Sequence, residues 1–402
     1  MSNSTFKKVH LWYLISLLPL TAAAEGIVDV QPYVSTNVNY DDNIYRFSSP
    51  SEARRLLGSS ETSDVAKRID VGVNVNLRLS RQLISVSANI NKTDYDRFNN
   101  LDNTGKSNRL QWDWKLGSKL YGVLSASQTE SVAGFNEART PVKNLRSVDQ
   151  QTASINWSFH PDWAVYANHE QVQYENAAAT SRVLNRKDKI TEGGIRYQSQ
   201  LDTRLGLAYR VADQSYPDRT GLIRARLGDD SSQKEIIASA EWSPSFKTKI
   251  SARLSQFNLV SPDIADSDRN GFSQRWNLNH RLTEKFSLGL AAYHVVSPQE
   301  DVISTYVKSK GFEINPTWNL TSKVALRGNI GYEQIEYIGS AGISGYSEDR
   351  SDESRQAGLS LLYAPTLKSV VQLQYQGEQR TSNIPNLDYI FNNINLFFRY
   401  DF

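Results

Sequence analysis

From Ile394 to the end of the chain every second residue is apolar: Ile394, Leu396, Phe398, Tyr400 and Phe402 alternate with Asn393, Asn395, Arg399 and Asp401, and only Phe397 interrupts the polar set. A period of two sends successive side chains to opposite faces, so this is a strand with one apolar and one polar face. The pattern recurs along the chain. Val34, Thr36, Val38 and Tyr40 show it, as do Val71 to Leu79, Ile84 to Ile90 and Leu110 to Leu116. These faces are too apolar for a solvated sheet. After residue 24 no apolar run approaches the roughly eighteen residues a membrane-spanning helix needs, and mean hydropathy is −0.51. The chain can enter a bilayer only as strands.

Tight reversals and long polar stretches alternate. Short turns are expected at Ser80-Arg81, Ser118-Lys119, His160-Pro161-Asp162, Ser199-Gln200, Ser243-Pro244-Ser245, Thr283-Glu284-Lys285, Thr321-Ser322 and Pro365-Thr366. Their spacing, about forty residues, suits two tilted strands, a tight turn and a longer loop. A propeller blade of four short strands shares that period, but each repeat here holds two strands of ten to fourteen residues. The count from Val34 to Phe402 is about eighteen strands, with sixteen as the alternative; alternation is least clean at Trp163 to Tyr174 and Gln233 to Trp242. Both termini then lie on the short-turn side.

The fold expected is therefore all-β, a transmembrane antiparallel β-barrel with short periplasmic turns and longer extracellular loops, in the outer membrane of a Gram-negative bacterium. A bilayer offers no water to unpaired backbone groups, so the sheet must close, and about eighteen strands leave an interior too wide for side chains to fill. Aromatic and leucine residues flank the short turns, as in Phe159 and Trp163, Trp242 and Phe246, Leu282 and Phe286, and Tyr363 and Leu367. They suit a girdle at the lipid headgroups.

Residues 1–24 have the order of a secretory signal: Lys7 and Lys8, an apolar stretch from Leu11 to Leu20, and Ala22-Ala23-Ala24 before Glu25. Cleavage there leaves 25–402 as one barrel domain. It removes two lysines and no acid from 45 basic and 43 acidic residues, so the two counts become equal. A general nucleic-acid binder would keep a basic excess. The chain has no cysteine, hence neither a lipidation site nor a disulfide framework.

Nothing in the chain announces an enzyme. His160 falls in a short turn, and His280 and His294 lie in phase with outward residues; His169 beside Glu170 is a possible acid-base pair without a recognisable nucleophile. No cofactor and no metal are expected. The acidic segments Asp229-Asp230 and Glu348 to Glu353 read as solvated loops, because a hard-cation site needs six to eight converging oxygens.

The informative face is the polar one. Phase assigns to the lumen Arg78, Lys115, Arg196, Arg204, Arg210, Lys249, Arg253, Arg275, Arg281, Arg327 and Arg399, against Asp70, Asp113, Glu241, Glu313, Glu333 and Asp401. Cations concentrate between Arg196 and Arg281, so one wall is expected to be positive and to attract anions; the alternative is that these charges pair with carboxylates and only hydrate the pore. Tyr121, Tyr293 and Phe397 share this phase and could offer rings to sugars. Of these cations, Arg196, Arg204, Arg210, Lys249, Arg253, Arg275, Arg281, Arg327 and Arg399 are the expected path.

Three segments carry a family resemblance: YDDNIYR at Tyr40 to Arg46, the aromatic-flanked turn FHPDW at Phe159 to Trp163, and the terminal RYDF. With them the chain resembles the EpsL-like outer-membrane β-barrel proteins of exopolysaccharide gene clusters, associated with exosortase systems. The resemblance implies export of an exopolysaccharide beside a periplasmic export conduit, and the basic wall suits a polymer with anionic groups. Resemblance to outer-membrane barrels in general implies that Phe398, Tyr400 and Phe402 are read by the outer-membrane insertion machinery. Other expected contacts are outer-membrane lipid and lipopolysaccharide. A general or solute-selective porin, or a surface adhesin acting through its loops, are the alternatives.

Overall fold

The computed structural model describes residues 28–136, 141–199, 202–262, 269–298, 306–338 and 350–402. The expected signal lies outside the described residues. Eighteen strands follow in chain order: β1 Val28–Asp41, β2 Asp64–Leu79, β3 Gln82–Tyr95, β4 Asn103–Leu116, β5 Leu120–Val132, β6 Leu145–His160, β7 Trp163–Asn176, β8 Arg186–Gln198 and β9 Arg204–Ser215. The second half continues with β10 Asp230–Ser245, β11 Thr248–Val260, β12 Arg269–Arg281, β13 Phe286–Pro298, β14 Tyr306–Asn319, β15 Val324–Ile338, β16 Ser351–Thr366, β17 Ser369–Ser382 and β18 Tyr389–Asp401. Each strand pairs antiparallel with the next, and β1 pairs with both β2 and β18. The sheet is thus a closed barrel with no free edge, the only β arrangement that satisfies every backbone group in hydrocarbon.

The seam between first and last strands runs from Tyr33 opposite Asp401 to Asp41 opposite Asn393. The Phe402 amide extends it by donating to the Pro32 carbonyl at 2.9 Å. β1 begins at Val28, six residues before the alternation becomes legible at Val34. Pro32, which has no N–H for the ladder, masks this start, yet Val28 and Val30 pair in register with Leu77 and Val75. The two irregular segments of the sequence are β7 and β10.

Outward positions form a continuous apolar band. On β2 they are Leu79, Leu77, Val75, Val73, Val71 and Ile69, after which Lys67 marks the edge. Six positions on a tilted strand span about 25 Å, the height of an outer-membrane apolar belt. At its short-turn edge Trp157, Phe159, Trp163, Trp242, Phe246, Trp318, Tyr363 and Phe402 are all exposed. This places the barrel in the outer membrane, short turns to the periplasm and long loops outside.

Several short turns share one device. Ser245, Thr283, Thr321 and Thr366 each accept, through the side-chain hydroxyl, the backbone N–H of a lysine two residues on, at 3.1 to 3.3 Å. Short polar side chains favour such local bonds over continued ladder. The long connections are more structured than their polar sequences suggest. Between β1 and β2 lies helix α1, Pro50–Leu57, started by Ser49, whose hydroxyl accepts from the Glu52 amide, and ended by Gly58 at φ 76. A second short helix, α2, Gly221–Leu227, joins β9 to β10.

A barrel this wide has no central core. Among the described residues its largest buried apolar cluster sits at the extracellular end: Tyr45, Phe47, Ala53, Leu101 and Phe135, from the β1–β2, β3–β4 and β5–β6 connections.

Candidate functional site in the lumen

Strand register settles which way each predicted cation faces. Arg196, Arg204, Arg210, Lys249, Arg253, Arg275, Arg281, Arg327 and Arg399 all lie on the inward face; Arg253, for example, pairs across strands with Arg275, and Arg275 with Tyr293. Most of them are not free. Arg204 bridges Asp202 and Glu241, each at 2.9 Å; Lys249 reaches the same Glu241 at 2.9 Å, and Arg210 meets Glu235 at 3.2 Å. Arg253 reaches three strands across to Glu192 at 3.0 Å, Arg275 sits 3.6 Å from Glu313, and Arg399 holds Asp401 at 2.6 Å. Arg196 contacts Asn156 at 3.0 Å. Arg281 and Arg327 have no side-chain partner among the described residues.

The wall expected to be positive is therefore a lattice of alternating sign with a small basic surplus. Glu192 and Glu235 were missed from the sequence, although each lies at an even spacing from an inward arginine on its own or the neighbouring strand. What the sequence does not carry is the lateral register that brings them within reach.

Three of the arginines share a second arrangement. Arg399 lies over the Tyr33 ring at 3.8 Å, Arg196 over Tyr166 at 4.0 Å and Arg275 over Tyr293 at 5.0 Å. Directly opposite these tyrosines in register stand Gly72, Gly194 and Gly311. A Cβ at any of the three would collide with the tyrosine ring, so the missing side chain lets the ring lie flat on the wall, where it supports the guanidinium by cation–π attraction. Tyr293 is thus capped by an arginine and is no open platform for sugars, contrary to the expectation from phase. Tyr121 remains exposed.

The opposite arc differs in chemistry. The middle of the inward face from β16 through β18 and β1 to β3 presents Gln356, Ser360, Gln372, Gln374, Gln376, Asn393, Asn395, Asn37, Asn39, Asn74, Asn76, Ser85, Ser87 and Asn89, without a charge among them. Neighbours are cross-bonded: Asn37 and Asn395 exchange reciprocal amide bonds at 3.1 Å, Ser85 donates to Asn76 at 2.8 Å, and Gln372 to Ser360 at 2.8 Å. On the charged arc, a cavity of about 1140 Å³ opens toward the periplasmic end, lined among others by Lys249, Arg275, Arg281, Asn279, Glu313 and Asn315.

At the extracellular end the YDDNIYR segment turns inward over the rim. Asp42 accepts from the Asn392 amide at 2.7 Å, the Asn43 side chain donates to the Ile390 carbonyl at 3.0 Å, and Arg46 pairs with Asp41 at 2.9 Å while lying 3.6 Å from the Phe391 ring centre. Tyr45 is wholly buried between Phe98 and Phe135, and that burial pushes its hydroxyl pKa above the ordinary value. On the adjoining part of the rim, at β16 and β17, Asp352 is buried between Arg350 and Arg380, each at 2.6 Å. The acidic segment expected to be a solvated loop thus supplies an interior ion cluster at Asp352; residues 348 and 349 lie outside the described residues. Asp229 pairs with Arg224 at 2.9 Å.

The possible acid-base pair His169 and Glu170 is not one. Adjacent residues of a strand face opposite ways: His169 points outward to the Thr191 hydroxyl at 2.9 Å, and Glu170 points inward to Gln150 at 2.7 Å. His280 faces outward against Thr248 at 2.9 Å, and His294 shares the outward phase.

A closed eighteen-strand barrel with an apolar exterior, an aromatic periplasmic edge and a polar lumen is an outer-membrane β-barrel with porin-like architecture. Among solved structures the chain is similar to OccK2 (OpdF) of Pseudomonas aeruginosa in complex with glucuronate, with TM-score 0.52 and 8% identity over 93% of this chain and 98% of that one. It is similar also to OccAB3 of Acinetobacter baumannii, with TM-score 0.52, 10% identity and 93% and 100% coverage, and to a BenF-like porin from Pseudomonas fluorescens Pf-5, with TM-score 0.52, 10% identity and 93% and 99% coverage. At such identities the likeness is one of fold. No protein-family model and no curated protein matches the chain.

Proposed function

We propose that this barrel is a solute-selective outer-membrane channel for small, hydroxylated solutes bearing an anionic group. The observation that carries the proposal is the division of the lumen into a lattice of arginines and glutamates on β8 to β14 and, at mid-height on β16 to β3, an uncharged lattice of amides and hydroxyls. The first attracts one charged group weakly, because most of its cations already hold a carboxylate. The second offers both donors and acceptors, which hydroxyls require. OccK2, similar in fold, is described in complex with glucuronate, a solute of this chemistry.

Liposome swelling and reversal potentials in planar bilayers test this. Sugar acids are expected to permeate faster than neutral sugars of equal size and than carboxylates lacking hydroxyls. Equal rates for all three would leave a general porin, and no conductance at all a loop-based receptor.

Export of an exopolysaccharide, implied by the family resemblance, is the second reading. The continuous amide ladder favours it, since a moving polymer needs many weak, repeated contacts. Loss of secreted polymer in a clean deletion strain, restored by the intact gene, would give it precedence.

A further inference from the structure

Two inward arginines stand apart from the charged lattice. Arg281 on β12 and Arg327 on β15 close the ends of one cross-strand row: Arg281 is opposite Ser287, Ser287 opposite Thr317, and Thr317 opposite Arg327. At the roughly 4.8 Å spacing of paired strands the two arginines start about 14 Å apart, and their long side chains can meet over the two hydroxyls between them. The next row toward the outside reads Asn279, Gly289 and Asn315. Gly289 puts no side chain into the lumen, so the wall is hollowed between the two asparagines; a Cβ there would come within 3.3 Å of the Asn279 amide oxygen. The hollow belongs to the cavity at the periplasmic end.

Its polar groups have unmet capacity. Among the described residues the side chains of Arg281, Ser287, Thr317, Arg327, Asn279 and Asn315 have no hydrogen-bond or ion-pair partner in the protein, whereas amides of the opposite arc bond one another. Nor does a carboxylate cancel the two arginines. Of the acids lining the cavity, Asp202 is held by Arg204 at 2.9 Å and Glu313 lies 3.6 Å from Arg275; Lys249, opposite Asn279, is held by Glu241 at 2.9 Å. Glu284, in the adjoining turn, forms no ion pair with either arginine. A phosphate monoester fits such a place, because at neutral pH it carries about 1.5 to 2 negative charges and three strong acceptor oxygens. A carboxylate or a sulfate ester carries only one charge. Guanidinium forks donate to phosphate oxygens in pairs, and asparagine amides, both donor and acceptor, suit hydroxyls.

We propose that this hollow binds small phosphorylated, hydroxylated solutes of the sugar phosphate class, with the phosphate between Arg281 and Arg327 over Ser287 and Thr317, and the hydroxyls at Asn279 and Asn315. The part this site plays in transport, a last contact before the periplasm, rests on the channel reading above; binding itself does not.

Calorimetric titration of the purified full barrel with glucose 6-phosphate, glucose 6-sulfate and glucuronate tests the site. Glucose 6-phosphate is expected to bind at least tenfold more tightly than the other two. Arg281→Gln and Arg327→Gln should each weaken it at least fivefold, and Gly289→Leu, which fills the hollow and leaves every charge in place, should do the same at unchanged levels of heat-modifiable barrel. Arg78 is the control: it is an exposed inward arginine near the same end, without a side-chain partner among the described residues, but its row continues to Leu83 and Asp113. Arg78→Gln should keep parental affinity. Equal affinities for the three ligands, parental affinity in the folded arginine variants, or an equal loss with Arg78→Gln would each overturn the site; should Gly289→Leu fail to fold, the arginine variants decide. Binding as expected in a barrel that passes no solute in liposome swelling would keep the site and discard the channel.

Discussion

At the scale of single residues the barrel wall makes opposite demands on neighbours. Val75 faces lipid and Asn76, one residue on, faces water, where it accepts from Ser85. Val75→Arg is expected to cost about 2 to 4 kcal/mol near the bilayer midplane, and Asn76→Arg far less; equal stabilities in folding titrations in lipid would contradict the assigned faces. The glycines opposite tyrosines are as constrained. Gly72→Val must displace the Tyr33 ring and the Arg399 resting on it, an overpacking of about 1 to 3 kcal/mol. Tyr33→Ala in the same chain should recover part of that loss, because the collision is with the ring; an additive double mutant would refute the stack.

At the scale of elements, the β1–β2 connection fastens the seam. Asn43, buried, takes the Phe47 amide at 2.9 Å and donates to the Phe47 and Ile390 carbonyls at 2.9 and 3.0 Å. Asn43→Ala leaves these groups unpaired at about 1 to 3 kcal/mol, read as a lower urea midpoint for the folded barrel. The pH dependence of the same element follows from Tyr45. Its pKa is raised in the fold by burial, so the associated stability is complete below the unfolded value of about 10 and is lost as pH rises through the higher folded value. Protease sensitivity of the 42–63 segment should therefore increase above that pH, and Tyr45→Phe should flatten the profile.

At the scale of the whole molecule, closure is the decisive event. The last strand must find the first, and Phe402 sits at that junction, its amide on the Pro32 carbonyl. Deleting Phe402, or replacing it with Asp, is expected to reduce heat-modifiable barrel in the outer membrane; unchanged levels would show that the terminal residue is not part of the assembly signal.

The strand count, the alternation of short and long connections and the inward placement of the cations were all legible in the sequence, because each depends on a period of two that a single strand carries by itself. Pairing across strands was not. Whether Arg253 is free or held by Glu192, and whether Tyr293 is open or capped, turns on residues brought together by lateral register, which no local pattern records. The mouth was hidden for a related reason. Polar loops read as solvated until the closed barrel brings Tyr45, Phe135, Asp352 and Arg380 to one rim, where burial becomes possible only because the wall supplies a partner for each charge. Sequence periodicity thus determined a barrel with a wet interior; the circular order of its strands decided which charges cancel and which loop residues pack together at the rim.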